Sequence, residues 1–319
     1  MEQNEAFDVV VIGGGAAGLS GALALGRSRR SVLVIDAGDP RNAPATHVHN
    51  YIGREGTAPQ ELSAIGRSEV EQYGVEVVSG TVTSLERDGE LFRVTVGAPD
   101  PVTVTARRLL VATGARDELP DVPGIAEQWG RGVVHCPYCH GWEVRDRVIG
   151  VLATSPMAMH QVGMFRQLSE HVSLFLNDAF EPSDEQWEEL AARGVEVISG
   201  RVAELVSEDG EVASIRLTSG TTVPIDALAV ATRVWARAEV LASLDVATQE
   251  VRQGDTLFGS VVVVDEVGRT SAPGVFAAGN VTEFAAQVIS SAAAGLRTGA
   301  AINGDLIQED TRVALAARV

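Results

Sequence analysis

Apolar residues near the start of the chain fall into two short unbroken runs, "VVVI" from Val9 and "VLVI" from Val32, separated by a glycine cluster and a stretch rich in alanine, glycine and leucine. Unbroken apolar runs of this length mark strands buried on both faces, and the small-residue stretch between them is long enough for a helix. The order is strand, glycine turn, helix, strand, which predicts a βαβ unit with parallel strands. Two later segments repeat the theme. "ARRLLVATGAR" (Ala106 to Arg116) predicts a buried strand ending in Ala-Thr-Gly, and "TSAPGVFAAGNVTEFAAQVISSAAAGLRTGAAIN" predicts a strand, a Gly-Asn turn and a long helix of small residues.

The glycines of the first turn carry chemistry. Gly13, Gly15 and Gly18 make G-x-G-x-x-G between strand and helix, a pattern that permits a tight turn, approach of a pyrophosphate to the backbone, and close packing of helix on strand. Asp36 follows Gly18 by 18 residues and ends the second strand. A carboxylate there accepts the adenosine ribose hydroxyls. Strand before, helix after and acid at that distance point to an adenine dinucleotide, FAD or NAD.

Length and charge narrow the class further. At 319 residues with 45% hydrophobic side chains, the chain can bury the cores of two domains. Its 43 acidic and 25 basic residues give a net charge of -18, which opposes nucleic acid and other polyanions. The start, Met-Glu-Gln-Asn-Glu-Ala-Phe-Asp, lacks a basic leader, and the apolar run behind it is too short for a signal core or membrane span. A cytoplasmic, non-membrane protein is expected.

Both cysteines lie in "HCPYCHGWE", residues 135–143. The letters alone admit four readings: a glutaredoxin-like dithiol, a haem attachment site, half a zinc site, or a dithiol coupled to a flavin. Haem attachment needs export, of which there is no sign. Zinc needs four ligands, and Cys136, Cys139, His135 and His140 do not readily converge from six consecutive residues, so no metal is expected. Pro137 suits the first turn of a helix opening at this pair, where a missing N–H costs nothing.

Taken in order, the dinucleotide fingerprint, the A-T-G strand, the C-x-x-C and the final Gly-Asn turn resemble the low-molecular-weight thioredoxin reductase family of FAD-dependent disulfide oxidoreductases, over essentially the whole chain. The resemblance implies an α/β fold with two Rossmann-like dinucleotide-binding domains, the second inserted into the first: an FAD domain of residues 1–118 plus 247–319, and an insertion of 119–246. "ELPDVPG" from Glu118 would supply the crossing out and the polar stretch Thr248 to Gly254 the crossing back. It also implies a homodimer. For FAD it assigns Gly13, Gly15, Ala16, Ala17 and Gly18, then Asp36 and Ala37, Arg41 and Asn50 in loops, Val82 at the adenine edge, Thr113 and Gly114 of A-T-G, and Gly279, Asn280, Gln287 and Val288 at the last helix. Asn280 stands where the family has Asp. By the same resemblance Cys139 faces the flavin and Cys136 exchanges with the external thiol. His140 replaces the family's Asp and can serve as a base for an incoming dithiol, with His135 as a second candidate. His47 and His49 read as ordinary loop histidines.

The family's nicotinamide site is not legible. Where its second glycine motif should stand, the chain has Leu152, Ala153 and Thr154, with Pro156 in place of a serine; where arginines should hold a 2′-phosphate it has Asn177, Asp178, Glu181 and Asp184. The Gly-x-x-Pro-Asn after "DALAVAT" is also missing, leaving Arg233 and Arg237 as the basic residues nearby. Met157, Met159 and Met164 read as core filling. NADPH binding is therefore not expected, and the pattern resembles the dithiol oxidases of the superfamily, which close a disulfide in a small dithiol and pass the electrons through FAD to molecular oxygen. The competing expectations are a reductase of a thioredoxin-like protein and a non-enzymatic flavin redox sensor.

Overall fold

The computed structural model describes residues 6–97 and 101–318. Residues 1–5, read above for a leader, lie outside them. The chain runs β1 (Ala6–Ile12), α1 (Ala16–Arg27), β2 (Val32–Asp36), α2 (Pro59–Glu71), β3 (Glu76–Ser79), β4 (Val82–Asp88), β5 (Leu91–Val96), β6 (Val102–Val111) and β7 (Ala115–Glu118). There follow α3 (Ile125–Gln128), β8 (Val133–Val134), α4 (Pro137–His140), β9 (Ile149–Leu152), α5 (Ala158–Phe165), β10 (Val172–Phe175), α6 (Asp184–Ala192), β11 (Glu196–Ile198), β12 (Val202–Glu208), β13 (Glu211–Leu217), β14 (Thr222–Pro224) and β15 (Ala227–Val230). The last part holds β16 (Arg233–Ala236), β17 (Thr248–Gln253), β18 (Thr256–Val262), β19 (Val275–Ala277) and α7 (Val288–Ala316).

Two units separate by their internal contacts: residues 1–43, 59–116 and 234–319 in the first, 44–58 and 117–233 in the second. The first unit is built on a sheet of order β3-β2-β1-β6-β5-β4, with β19 joined to β6. Its parallel centre is the βαβ unit expected from the apolar runs: Val9, Val10, Val11, Leu33 and Val34 are all fully buried. On one face α1 and α7 pack backbone to backbone. A Cβ on Gly295 would overlap the Ala17 carbonyl, and one on Gly299 would press on Gly21. The far part of α7 is held by charge, since Arg107 donates to Asp8 (2.7 Å) and Glu309 (2.9 Å), and Arg108 to Asp305 (2.6 Å).

The second unit carries a five-stranded parallel sheet, β11-β10-β9-β15-β8, and an antiparallel sheet β12-β13-β14. One core lies under α5 and α6 (Val162, Phe165, Leu174, Leu190) and another between the two sheets (Ile125, Phe175, Ile215, Leu228).

Both borders differ from those expected. The return to the first unit falls after Arg233 rather than near residue 247, because Thr248–Gln253 is a strand paired antiparallel with β18 and not a polar connection. The loop Pro44–Ala58, expected with the FAD domain, groups with the second unit. Among the described residues no helix is long and apolar enough to cross a membrane.

Candidate functional site

The first unit forms a cradle at the turn from β1 to α1. Gly13 has φ +108°, and a Cβ there would overlap the Ala112 carbonyl; a Cβ on Gly18 would overlap the Gly13 carbonyl. These two glycines fix the turn. Gly15 differs: nothing lies within 4 Å of where its Cβ would be. It is also the N-cap of α1 and supplies no side-chain cap, and no acidic residue stands in the first turn. Bare amides facing open space at a helix N-terminus fit a pyrophosphate. Ala16 begins the helix, while the Ala17 side chain is buried beneath Gly279, which has φ +86°.

Asp36 sits at the rim, where Oδ1 accepts from the amides of Gly14 (3.1 Å) and Gly38 (3.3 Å), and Oδ2 pairs with Arg67. Arg67 comes from α2 and was not suspected from the sequence. Ala37 is exposed just beyond, and Val82 packs against the core at the start of β4. Thr113 and Gly114 are latched from β16: Thr113 Oγ1 donates to the Arg237 carbonyl (2.6 Å), and the Arg237 amide donates to Gly114 (3.0 Å). The Arg237 guanidinium goes to Asp39, 2.7 Å from its carboxylate, within the loops of the first unit. Arg233 is paired with Glu118 at 3.2 Å.

Asn280 explains its own departure from Asp. Its Nδ2 donates to the carbonyls of Glu283 (3.2 Å), Phe284 (3.3 Å) and Ala286 (2.9 Å), which a carboxylate cannot do. The Phe284 carbonyl also accepts from Arg41 (2.8 Å), so Arg41 acts on the same loop. That loop delivers Gln287, the N-cap of α7, and Val288, its first residue, with another uncapped helix start.

The second unit holds the cysteines. Cys136 is the N-cap of α4 with φ -99° and ψ 118°, Pro137 follows at the first helical position, and the His140 amide closes the turn on the Cys136 carbonyl at 3.1 Å. Both cysteines are half-buried, whereas Tyr138 and Trp142 beside them are exposed. His135 has Nδ1 3.1 Å from the Val230 carbonyl, so that nitrogen carries the proton and Nε2 is left as an acceptor in the neutral ring. The His135 carbonyl accepts from the buried Gln161 (3.1 Å).

His140 Nε2 is buried and has no hydrogen-bond partner. Burial pushes the proton affinity of His140 below the ordinary histidine range, opposed by the charge of Glu143 and reinforced by that of His49. A buried imidazole held neutral in this way can accept a proton.

The loop Pro44–Ala58 meets this turn. Asn50, in the left-handed conformation with φ +60°, donates its side-chain amide to the Tyr138 carbonyl at 2.6 Å. Asn50 therefore stands beside the cysteine turn. His49 is no isolated loop histidine either: Nδ1 lies 2.6 Å from Glu55 and Nε2 3.4 Å from Glu143. His47 is its neighbour, with ring centroids 6.1 Å apart. Ile52 at the loop tip is 93% exposed.

At the turn from β9 to α5, Leu152 and Ala153 are fully buried in two different cores and Thr154 Oγ1 donates to the Ala231 carbonyl at 3.1 Å. Asn177 closes the neighbouring turn, accepting from the Val202 amide (2.9 Å) and donating to the Ala153 carbonyl (3.5 Å). Asp178 beside it has φ +55°, Glu181 is exposed, and Asp184 belongs to the first turn of α6, which is closed by a Ser183 and Gln186 capping box. Pro156 is exposed ahead of α5; Met159 packs on the core, and Met157 and Met164 are half-buried.

A βαβ dinucleotide fold bearing a glycine cradle, joined to a second parallel-sheet unit with a C-x-x-C turn, defines a flavin disulfide oxidoreductase. The chain belongs to the pyridine nucleotide-disulphide oxidoreductase family, which it matches over residues 7–299, and is an FAD-dependent oxidoreductase of thioredoxin reductase-like kind. It is 42% identical to the protein in the crystal structure of HlmI, covering 98% of this chain and 96% of that one with a TM-score of 0.88. An oxidoreductase from Agrobacterium tumefaciens is 37% identical, covering 95% of this chain and 99% of that one, also with a TM-score of 0.88. Among curated proteins, thioredoxin reductase tcpT of Claviceps purpurea is 35% identical over 291 residues, 88% of each chain.

Proposed function

We propose that this protein oxidises a small dithiol to a disulfide through the Cys136–Cys139 pair, with molecular oxygen as final acceptor, and that NADPH is not its electron donor. The observation that carries this reading is the turn after β9, where buried Leu152 and Ala153 and the latched Thr154 stand in place of a second glycine cradle, while the first cradle is intact. FAD, when bound along Gly13–Gly18, would accept the electron pair of the enzyme dithiol and pass it to oxygen.

The protein's own residues account for the thiol chemistry. His140 takes the proton of a substrate thiol, and the thiolate attacks Cys136 Sγ of the enzyme disulfide. The Cys136–Cys139 bond breaks and Cys139 leaves as thiolate. The second substrate thiolate then attacks the substrate sulfur joined to Cys136, which releases the oxidised substrate and leaves Cys136 reduced. Two electrons pass from substrate to enzyme. Tyr138 and Trp142, both exposed beside the cysteines, supply an apolar rim for the substrate. Assembly as a homodimer belongs to the same reading.

A second reading, reduction of a thioredoxin-like protein, is favoured by the relatives' names: tcpT, sirT of Leptosphaeria maculans and aclD of Aspergillus oryzae are each called a thioredoxin reductase. Anaerobic titration of the yellow protein separates the two. Bleaching by dithiothreitol, recovery on admitting air and no bleaching by NADPH or NADH are expected; rapid bleaching by stoichiometric NADPH would establish the reductase instead.

A further inference from the structure

Strand β2 ends in a carboxylate whose hydrogen bonds leave little of it over. Asp36 Oδ1 accepts from two amides, Gly14 at 3.1 Å and Gly38 at 3.3 Å, and Oδ2 accepts from Arg67 Nη2. A carboxylate has about four lone-pair positions, so one remains, on Oδ2. The backbone crowds that oxygen too, since a Cβ on Gly14 would lie 2.8 Å from it. Asp36 can therefore accept from one hydroxyl of an adenosine ribose, not from both. The second hydroxyl needs another partner at the same rim.

Arg67 reaches that rim because α2 lies close on α1. A Cβ on Gly66 would come within 2.9 Å of Leu19 Cδ1, and Val70, one turn further along α2, is buried in the core that holds Val9 and Val11. The Arg67 side chain is 33% exposed and that of Asp36 14%. A guanidinium carries five N–H donors, and among the described residues Asp36 is the one hydrogen-bond partner of Arg67. Unused N–H groups thus stand beside the one unused lone pair.

We propose that Arg67 and Asp36 read the adenosine ribose of FAD as a pair: Asp36 Oδ2 accepts from one hydroxyl, and the Arg67 guanidinium donates to the other. A hydroxyl is both donor and acceptor, so each suits its partner. Arg67 is then a binding residue as well as the group that holds Asp36 in place. The pair also leaves no uncompensated charge at the rim when a neutral diol covers it. The assignment holds whichever way electrons flow through the flavin.

The test uses the full-length chain, reconstituted with FAD or with FAD analogues whose adenosine is 2′-deoxy or 3′-deoxy. Dissociation constants are read from flavin fluorescence, without turnover. The wild type should hold each analogue about tenfold more weakly than FAD, the usual cost of a lost hydrogen bond to a charged group. R67M should bind FAD about tenfold more weakly than the wild type does, and should lose its discrimination against one analogue alone, because the Gly14 and Gly38 amides still hold Asp36 for the other hydroxyl. The analogue no longer discriminated against should bind R67M and the wild type alike. An arginine that only braces α2 would weaken FAD and both analogues equally. Three results overturn the pair: a wild type that binds either analogue as tightly as FAD, an R67M that keeps both discriminations, and an R67M that loses both. Should R67M not fold, as judged by circular dichroism, R67Q, whose shorter amide lacks the reach of the guanidinium, takes its place in the same comparison.

Discussion

Cys139 and Cys136 differ in what their loss should do. Replacing Cys139 by Ser leaves Cys136 without the disulfide that a substrate thiolate attacks, so turnover should fall by about 10³-fold or more; the Cys136 thiolate can still attack the disulfide of the oxidised product, displacing one of its sulfurs as thiolate, and that mixed disulfide shows by mass spectrometry. His140→Gln should lower dithiol oxidation by about 10²-fold. Because burial makes its proton harder to hold, His140 stays neutral down to the ordinary histidine range and below; the rate should lose its base only as pH falls beneath about 6.5, measured as initial oxygen uptake. Asn280→Asp replaces a donor with a carboxylate facing three carbonyls, and should cost about 1–3 kcal/mol in a urea melt although Asp is the family's usual residue. At this scale the sequence made the dithiol and His140 legible, since they are neighbours along the chain. It hid the partner of Asp36 and the pairing of His49 with Glu143. Arg67 and Glu143 are common surface types, and His49 meets Glu143 only because a distant loop folds back; no local pattern marks such meetings.

Elements with strong apolar runs were readable, and those without were not. The parallel strands β1, β2 and β6 each present buried Val, Leu and Ile on both faces. Strand β17 presents Thr248, Gln249, Glu250 and Arg252 to solvent, so hydrophobic pattern says nothing of it. Its pairing with β18 is made by backbone hydrogen bonds, and side-chain identity records little of that. Helix α7 was legible as a helix, yet its small residues gain meaning only against α1. Gly295→Ala places a methyl on the Ala17 carbonyl, and the helices must part to admit it. A loss of about 1–3 kcal/mol is expected, with weaker FAD retention on gel filtration because α1 carries the cradle.

For the whole molecule, the inserted arrangement was visible in the order of motifs, while its borders were not. On the way out, the second unit begins at Asp117 within β7, and the proline and glycine of "ELPDVPG" follow that strand. The way back passes from β15 to β16 through Thr232, which is buried and donates to Asp117 at 2.7 Å, so no break in composition announces it. FAD held along the Gly13–Gly18 cradle would stabilise the folded first unit by mass action. Stripping FAD should lower the first unit's melting temperature, and adding FAD at about a hundred times its dissociation constant should return roughly 2.7 kcal/mol.

The loop Pro44–Ala58 also sets a timetable for synthesis. Asn50 precedes its hydrogen-bond partner Tyr138 by 88 residues, and Val48 and Thr57 close the loop on itself long before that partner is translated. At roughly 5–20 residues per second, the ribosome needs several seconds to deliver that partner. Through that interval Asn50 and His49 lack Tyr138 and Glu143, and the nascent chain must carry the loop as an open flap. Grafting residues 117–233 into another host would transplant the cysteines but leave the flap behind. Any such chimera inherits the thiols without the loop that meets them.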